Sequence, residues 1–253
     1  AFKNNKHMIG IKYYPKAATT NSENGVSNIN EVFHILKIME QESIPLLIHG
    51  ESIKKNVDIF DKEHIFLEEE LLLIINTFPK LRIVLEHITT KKAVDFVLKY
   101  NIHATITPHH LLLDRNDIFR NGINPHLYCL PILKRSNDRD ALLEAALSGK
   151  PNFFLGTDSA PHCESHKLTS CGCAGIFNCT VAIEIIVDLF MQNNKKKNLE
   201  KFISTNGCDF YNLDYNNDIV IIKKEKWLVP EKYGNIVPLC AGEELSWKYC
   251  PLS

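Results

Sequence analysis

The stretch Arg82-Ile83-Val84-Leu85-Glu86-His87 is a short apolar run that ends in potential metal ligands. Three other runs have the same form: Met8-Ile9-Gly10-Ile11-Lys12, Pro45-Leu46-Leu47-Ile48-His49 and Asn152-Phe153-Phe154-Leu155-Gly156-Thr157-Asp158. Runs of this kind, with helical patterns between them, predict buried parallel strands. In a (β/α) barrel the carboxyl ends of the strands converge on one mouth. We therefore expect the residues that end these four runs to meet.

The spacing of these residues supports a barrel. Lys12 and His49 are 37 positions apart, and His49 and His87 are 38 apart. This is the length of one strand, one helix and two loops, so the three residues are expected on successive strands. Asp158 follows His87 by 71 positions, and one further strand is predicted between them, near residues 104–108. A single histidine could equally be a hydrogen-bonded core or loop residue, but four strand ends in order favour a common site.

Composition limits the function classes. The chain has 253 residues, of which 45% are hydrophobic, enough for one large domain with a substantial core. Its formal net charge is −1, with the signs well mixed, which gives no electrostatic argument for nucleic acid or for an anionic membrane. A small-molecule site is expected instead. No run approaches the roughly 20 apolar residues of a membrane span, and residues 1–6 lack a signal peptide's apolar region, so we expect a cytoplasmic protein.

Cysteine usage leaves one alternative open. The sequence has eight cysteines, and a chain of this length with a good core does not need disulfides, so reduced thiols are expected. Four of them, Cys163, Cys171, Cys173 and Cys179, lie within a short segment and could hold a structural zinc. The segment has no Cys-x-x-Cys pair, which argues against that site.

The pattern along the chain predicts two parts. Residues 1–212 are expected to form the barrel, and residues 213–253 a small C-terminal extension of short strands packed on it. The irregular, polar segment from Tyr13 to Val26 is long enough for a lid over a site. Helices are predicted near residues 29–42, 62–77, 90–99, 138–148 and 180–191, with Ser27 or Asn28 capping the first and Thr90 capping the third.

The residue types at the four strand ends suit metal chemistry. Two neutral imidazoles and a carboxylate are typical of a catalytic zinc. Lys12 is the exception, because an ammonium cannot bind a cation. It either pairs with Glu86 or Asp158, or it carries a carbamate whose two oxygens bridge two metals about 3.5–4 Å apart. Asp158 could then bind one metal and transfer a proton.

Several segments together resemble the shorter, bacterial-type dihydroorotases of the amidohydrolase superfamily, in the right order and over nearly the whole chain. The segments are Lys12-Tyr13-Tyr14-Pro15 with Thr19-Thr20-Asn21, Leu47-Ile48-His49-Gly50-Glu51, Glu86-His87-Ile88-Thr89-Thr90, residues 126–135 (His-Leu-Tyr-Cys-Leu-Pro-Ile-Leu-Lys-Arg) and residues 156–162 (Gly-Thr-Asp-Ser-Ala-Pro-His). This many matches is far more specific than an isolated metal motif.

The resemblance implies an α/β fold, the (β/α)8 TIM barrel of the metal-dependent amidohydrolases. It implies a hydrolase that interconverts N-carbamoyl-L-aspartate and L-dihydroorotate in pyrimidine biosynthesis, and a homodimer. Two Zn²⁺ ions would be bridged by carbamylated Lys12, with His49 and His87 binding the second ion and Asp158 acting as both ligand and catalytic proton shuttle. The implied substrate contacts are Thr19 and Thr20 on the closing loop together with Leu130, Ala160, His162 and Ala174.

One departure from the family pattern is clear. Dihydroorotases of this type open with a His-x-His-x-Arg motif on the first strand, which supplies two zinc ligands and an arginine for the substrate carboxylate, and this sequence contains no such motif. Its first run matches the family's fourth strand, so roughly three β/α units are expected to come from elsewhere in the same chain or from a separate segment. The alternatives are an inactive fragment or non-catalytic scaffold of the same fold, or another cyclic amidase of the hydantoinase or allantoinase type.

Overall fold

A five-stranded parallel sheet forms the centre of the structure, a computed structural model that describes residues 8–19, 22–170 and 172–251. Its strands are β1 (Ile11–Tyr13), β2 (Leu46–His49), β3 (Ile83–Glu86), β4 (His103–Ile106) and β5 (Phe153–Leu155). The strands lie side by side in chain order, and every neighbouring pair is parallel. This is the order that consecutive β/α units of a barrel give. The strand predicted between His87 and Asp158 is β4.

Helices connect the strands of the sheet. They are α1 (Phe33–Gln41), α2 (Lys62–Phe66), α3 (Leu72–Thr77), α4 (Lys91–Tyr100), α5 (Pro108–Leu112), α6 (Ser136–Leu147), α7 (Glu164–Lys167), α8 (Ala182–Gln192), α9 (Lys196–Glu200) and α10 (Asn206–Tyr211). A 3-10 turn, Ile29–Val32, precedes α1, and π-helical turns, Leu67–Leu71 and Lys201–Thr205, join α2 to α3 and α9 to α10. The predicted helices near 29–42 and 62–77 are thus continuous helical segments with a change of winding inside them.

Side chains cap the two helical segments for which the sequence predicted caps. The Asn28 side chain accepts a hydrogen bond from the backbone N–H of Asn30, and the Thr90 hydroxyl accepts one from the backbone N–H of Ala93. Both residues have extended backbone, as a cap position requires. The left-handed Asn101 ends α4 and turns the chain into β4.

The main hydrophobic core lies between the sheet and the helices. Ile48, Leu85 and Ile106, each from a different strand, are completely buried, and they pack in one cluster with Phe66, Leu71 and Phe190 from the helical layer. Burial of a large apolar side chain contributes about 1.5–3 kcal/mol. The strands read as nearly continuous apolar runs because the core covers them on both faces.

The C-terminal region forms two small antiparallel ladders. Strands β6 (Ile221–Lys223) and β9 (Lys248–Cys250) pair with each other, as do β7 (Trp227–Leu228) and β8 (Glu244–Leu245). The sequence predicted strands here, although β6 begins three residues later than the predicted run at Asp218. The proposed boundary between residues 212 and 213 stays a prediction.

The parallel sheet has two open edges within the described ranges, because β1 and β5 each pair with a single neighbour. The sheet is an α/β arrangement consistent with part of a barrel. The prediction that further β/α units complete it remains a prediction. No helix in the described part of the chain has the length and apolar character needed to span a membrane.

Candidate active site

A cavity of about 220 Å³ opens at the carboxyl end of the sheet. It is lined by Tyr14, Thr19, His49, His87, Leu130, Asp158, Ala160, His162, Ala174 and Gly175. Eight of these ten residues are site residues that the sequence predicted, drawn from segments more than 150 positions apart. Thr20, which the sequence placed beside Thr19, lies outside the described residues.

Strand register brings the predicted ligands to this edge. In the ladder His49 lies opposite Glu86, and Lys12 lies opposite Leu47, two positions before His49. His87 follows β3 directly. Asp158 comes three residues after β5 ends. Lys12 is the middle residue of β1 rather than its end, because the strand continues to Tyr13.

Two of the predicted ligands have strained backbone. His87 and Asp158 both have φ of 44°, in the left-handed region that non-glycine residues rarely adopt. Such residues cost about 1–3 kcal/mol each and persist where the surrounding structure holds them. Strain at two strand ends that face one cavity is typical of a functional site.

Hydrogen bonds from neighbouring elements hold these backbones. The Thr105 hydroxyl on β4 accepts from the backbone N–H of His87 at 2.7 Å, and the Thr105 carbonyl accepts from Ile88. On the other side, the Asn178 side-chain amide donates to the carbonyl of Thr157 at 2.7 Å. The chain around Asp158 is therefore fixed by the segment just before α8.

Lys12 forms an ion pair with Glu86, which is one of the alternatives that the sequence left open. Its ammonium donates to the Glu86 carboxylate, and both side chains are about a quarter exposed. The ammonium also lies over the Tyr14 ring, 4.6 Å from its centroid. Lys12 itself is not part of the cavity lining; its ammonium contacts Glu86, the last residue of β3, and the ring of Tyr14, which lines the cavity.

The two histidines form a buried pair with a carboxylate behind them. The His49 and His87 rings meet edge to face with centroids 4.8 Å apart, and both are at least 96% buried. Glu51, which is completely buried, holds Nε2 of His49 at 2.9 Å. Nδ1 of His87 has no hydrogen-bond partner among the described residues. Burial and the neighbouring His49 and Lys12 hold the pKa of His87 well below its usual range, so the ring is neutral, as a metal ligand must be.

Asp158 lines the cavity and is exposed to solvent. The loss of hydration raises its pKa to about 6, with Lys12 and His49 opposing the rise and Glu86 adding to it. The site therefore combines a carboxyl, two imidazoles, an amine and the Glu86 carboxylate. Neutral imidazole with an unpartnered buried nitrogen, next to carboxylates, fits the donor set that zinc prefers.

The substrate-contact residues predicted from the resemblance form one wall of the cavity. His162 holds the Ala174 carbonyl with Nε2 at 3.1 Å, and the backbone N–H of Ala160 donates to Ile176. Gly175 has φ of 152°, and an added Cβ would lie 2.6 Å from the Cβ of Ala160. Only glycine lets these two backbone segments approach so closely.

A second cluster of potential ligands lies deeper in the core. It consists of His109, His110 and Cys129, whose donor atoms lie within 4.8 Å of one another and which form the only such group of three or more in the described ranges. Both ring nitrogens of His110 have partners, the Thr107 hydroxyl and the Pro131 carbonyl. The Cys129 thiol donates to the same carbonyl. These hydrogen bonds give His110 and Cys129 a structural explanation, whereas His109 contacts the Asn178 amide through Nδ1 and its Nε2 has no partner among the described residues. The sequence did not predict this cluster.

The alternative cysteine site does not form among the described cysteines. Cys163, Cys173 and Cys179 are free thiols and do not gather into a group of ligands, and Cys171 lies outside the described residues.

The sequence missed three residues at the site. Tyr14 and Gly175 line the cavity, and Glu51 holds His49. Glu51 lies two positions after His49, so the sequence shows that the two residues are close along the chain. Its contact with the ring depends on the loop conformation after β2, which no local pattern specifies. Tyr14 and Gly175 carry no chemical signal of their own in the sequence.

Comparison with known proteins defines the class. Residues 1–229 match the model of the amidohydrolase family. A dihydroorotase of Aliivibrio fischeri (strain MJ11) is 53% identical over 247 residues, which cover 95% of this chain and 72% of that protein. The crystal structure of Saccharomyces cerevisiae dihydroorotase in complex with 5-fluoroorotic acid has a TM-score of 0.87 at 34% identity, over 96% of this chain and 74% of that one.

The structure is also similar to that of a hydantoinase, but the sequence identity is so low that this similarity shows the fold alone. A D-hydantoinase from Thermus sp. has a TM-score of 0.78 at 14% identity, over 96% of this chain and 61% of that one. The chain belongs to the amidohydrolase family. Its similarity in sequence, at about half of all positions, and in structure places it within that family among the dihydroorotases.

The buried histidines of the second cluster predict an acid-dependent loss of stability. Burial lowers the pKa of His110 to about 3 and that of His109 well below 6.5. Between pH 6.5 and 3, His110 is protonated in the unfolded chain but not in the folded protein. The contribution of its burial to the free energy of unfolding is therefore complete above pH 6.5 and is lost progressively as the pH falls. Each such group contributes about 1.4 kcal/mol per pH unit.

The variant His110→Gln should therefore remove about 2 kcal/mol of the loss in unfolding free energy between pH 7 and pH 5, measured by urea denaturation. Exposed His34→Gln is the control and should retain the wild-type slope. Equal slopes for wild type and His110→Gln would contradict this account.

Proposed function

We propose that this protein catalyses the reversible, zinc-dependent conversion of N-carbamoyl-L-aspartate to L-dihydroorotate in pyrimidine biosynthesis. In the hydrolytic direction, water adds to the ring carbonyl carbon, the C–N bond of the cyclic amide breaks, and the leaving nitrogen takes a proton. This reaction needs a group that moves a proton, donors that polarise the carbonyl, and contacts for the substrate carboxylate. The convergence of eight predicted residues on one cavity is the observation that carries the proposal.

The proposed metal ligands are Lys12 as a carbamate, His49, His87 and Asp158. Three features support them: the neutral ring of His87 with its unpartnered Nδ1, the burial of both imidazoles, and the opening of Asp158 into the same cavity. Two zinc ions, when bound, would polarise the ring carbonyl and lower the pKa of the attacking water.

The chain's own groups have distinct proposed roles. Asp158 takes the proton of the attacking water and delivers it to the leaving nitrogen, a role its place at the open side of the cavity allows. His162 and the backbone around Ala160 and Ala174 face the cavity, where they can bind the ring and its carboxylate. The Saccharomyces cerevisiae relative binds 5-fluoroorotic acid, which is also a pyrimidine carboxylate. Thr19 would close the cavity from the loop after β1.

The carbamate on Lys12 requires a change in its present pairing. Carbon dioxide reacts with the neutral amine, forming an N–C bond and releasing one proton. The ammonium of Lys12 is instead paired with Glu86. Metal ions, when bound, would compensate the negative charges of a carbamate on Lys12 and of the Glu86 carboxylate, so we expect carbamylation to accompany metal binding.

Completion of the site is part of the same proposal. The open edges of β1 and β5 would pair with further strands, supplied by another segment, which would also bring the His-x-His-x-Arg ligands. The division into a barrel at residues 1–212 and an extension at residues 213–253 is retained here as a proposal. A cytoplasmic homodimer likewise rests on the resemblance to the family.

Two alternatives remain in view. The absence of His-x-His-x-Arg from this sequence and the Lys12–Glu86 pair favour an inactive scaffold of the same fold. The hydantoinase likeness shows the fold alone and gives no support for a hydantoinase reaction.

The experiment that tests the proposal is ring opening of L-dihydroorotate by the purified protein in zinc and bicarbonate. The variant Lys12→Ala should fall below about a hundredth of wild-type turnover, because the bridge between the metals is lost. Exposed Lys16→Ala is the matched control and should behave as wild type. Equal turnover in Lys12→Ala would refute the role of Lys12, and no turnover from folded wild type would favour the scaffold.

A second prediction concerns the carboxylate behind His49. Outer carboxylates orient metal-binding histidines and raise their basicity, and their loss typically weakens metal binding by about 10–100-fold. Glu51→Gln should therefore weaken Zn²⁺ binding by about this factor, measured by competition with a chromophoric chelator. Glu69→Gln, at an exposed carboxylate paired with Lys54, is the control. Unchanged zinc affinity in Glu51→Gln would show that this contact does not serve the metal.

A further inference from the structure

The side chain of Lys167 lies beneath the wall of the cavity and is 96% buried. It is the last residue of α7, a short helix after the strand-end Asp158 segment. Buried lysines are rare in folded proteins unless their charge has partners. No sequence pattern singled out Lys167, and the roles proposed above do not use it.

The partners of Lys167 are three backbone carbonyls. Its Nζ donates to the oxygens of Tyr128 at 2.8 Å, Cys173 at 2.8 Å and Gly175 at 2.7 Å. An ammonium has three N–H donors, so these contacts use all of them. Hydrogen bonds from a charged donor are about twice as strong as neutral ones, and losing the donor leaves the carbonyls to be satisfied otherwise.

The carbonyls belong to two separate segments of the cavity wall. Tyr128 lies two residues before Leu130, while Cys173 and Gly175 flank Ala174 on both sides, and Leu130 and Ala174 line the cavity. A backbone bond from the N–H of Gly175 to the Tyr128 carbonyl joins the same segments. The ammonium is thus a shared donor that sets their separation.

We propose that Lys167 is a positioning residue for substrate binding, fixing the Tyr128–Leu130 and Cys173–Gly175 segments at the separation that receives the substrate ring. The identity of the substrate in this inference rests on the proposed function, whereas the claim that Lys167 fixes the two segments of the cavity wall does not. Lys167 touches neither the candidate metal ligands nor the cavity itself. Its loss should therefore change substrate affinity and leave metal binding intact.

The kinetic test compares three variants with wild type in ring opening of L-dihydroorotate. Lys167→Met removes the ammonium and keeps an apolar stem, and it should raise KM about tenfold while kcat changes less than about threefold, with zinc content unchanged. Lys167→Arg keeps charge and donors and should recover part of the loss. Lys232→Met is the matched control, because exposed Lys232 pairs with Glu164 on the same short helix, and it should match wild type.

Amide hydrogen exchange tests the structural part without activity. Lys167→Met should raise exchange of residues 173–177 selectively, including the amide of Gly175, while the strands of the parallel sheet retain wild-type protection. If Lys167→Met does not fold, Lys167→Gln carries both measurements. If the wild type shows no turnover but Lys167→Met still shows the selective rise in exchange, the proposed function is refuted and the positioning role of Lys167 is kept. Unchanged KM with reduced kcat, loss of zinc, or a uniform rise in exchange would overturn the inference.

Discussion

The parallel register of β1, β2 and β3 is the constraint on which the site depends. Because all the strands run in one direction, their carboxyl ends share one edge, and the hydrogen-bonded ladder fixes which residues face one another there. His49 opposite Glu86 and Lys12 one strand away follow directly from this register. A slip by one residue would turn these side chains to the opposite face of the sheet. The apolar runs that precede the strand ends therefore specify the site as well as the core.

The site combines charged groups with strained backbone. Left-handed backbone at His87 and Asp158, a carboxylate behind His49, and an amine paired with Glu86 lie around one small cavity. Hydrogen bonds from Thr105 and Asn178 hold the strained positions in place. Preorganisation of this kind is what a metal-dependent hydrolase requires, since its groups must stand in position before substrate arrives.

Sequence alone predicted the parallel strands, five of the helical segments and most of the cavity lining, while the short helices α5, α7, α9 and α10 were not predicted. A strand that ends in histidine or aspartate carries its chemistry and its position in one local pattern, so His49, His87 and Asp158 could be found. Glu51 and Lys167 could not, because their partners are a ring across a loop and carbonyls up to 39 positions away. The substrate positions Leu130, Ala160 and Ala174 have no chemical signal and came from the resemblance to dihydroorotases.

The measurement that tests the central claim most directly is anomalous diffraction at the zinc edge from crystals of the protein grown with zinc and bicarbonate. The account predicts two zinc peaks about 3.5–4 Å apart in the cavity, with Lys12 extended by a carbamate between them and His49 and His87 bound to one of them. A zinc peak at His109, His110 and Cys129 with none in the cavity would contradict the account.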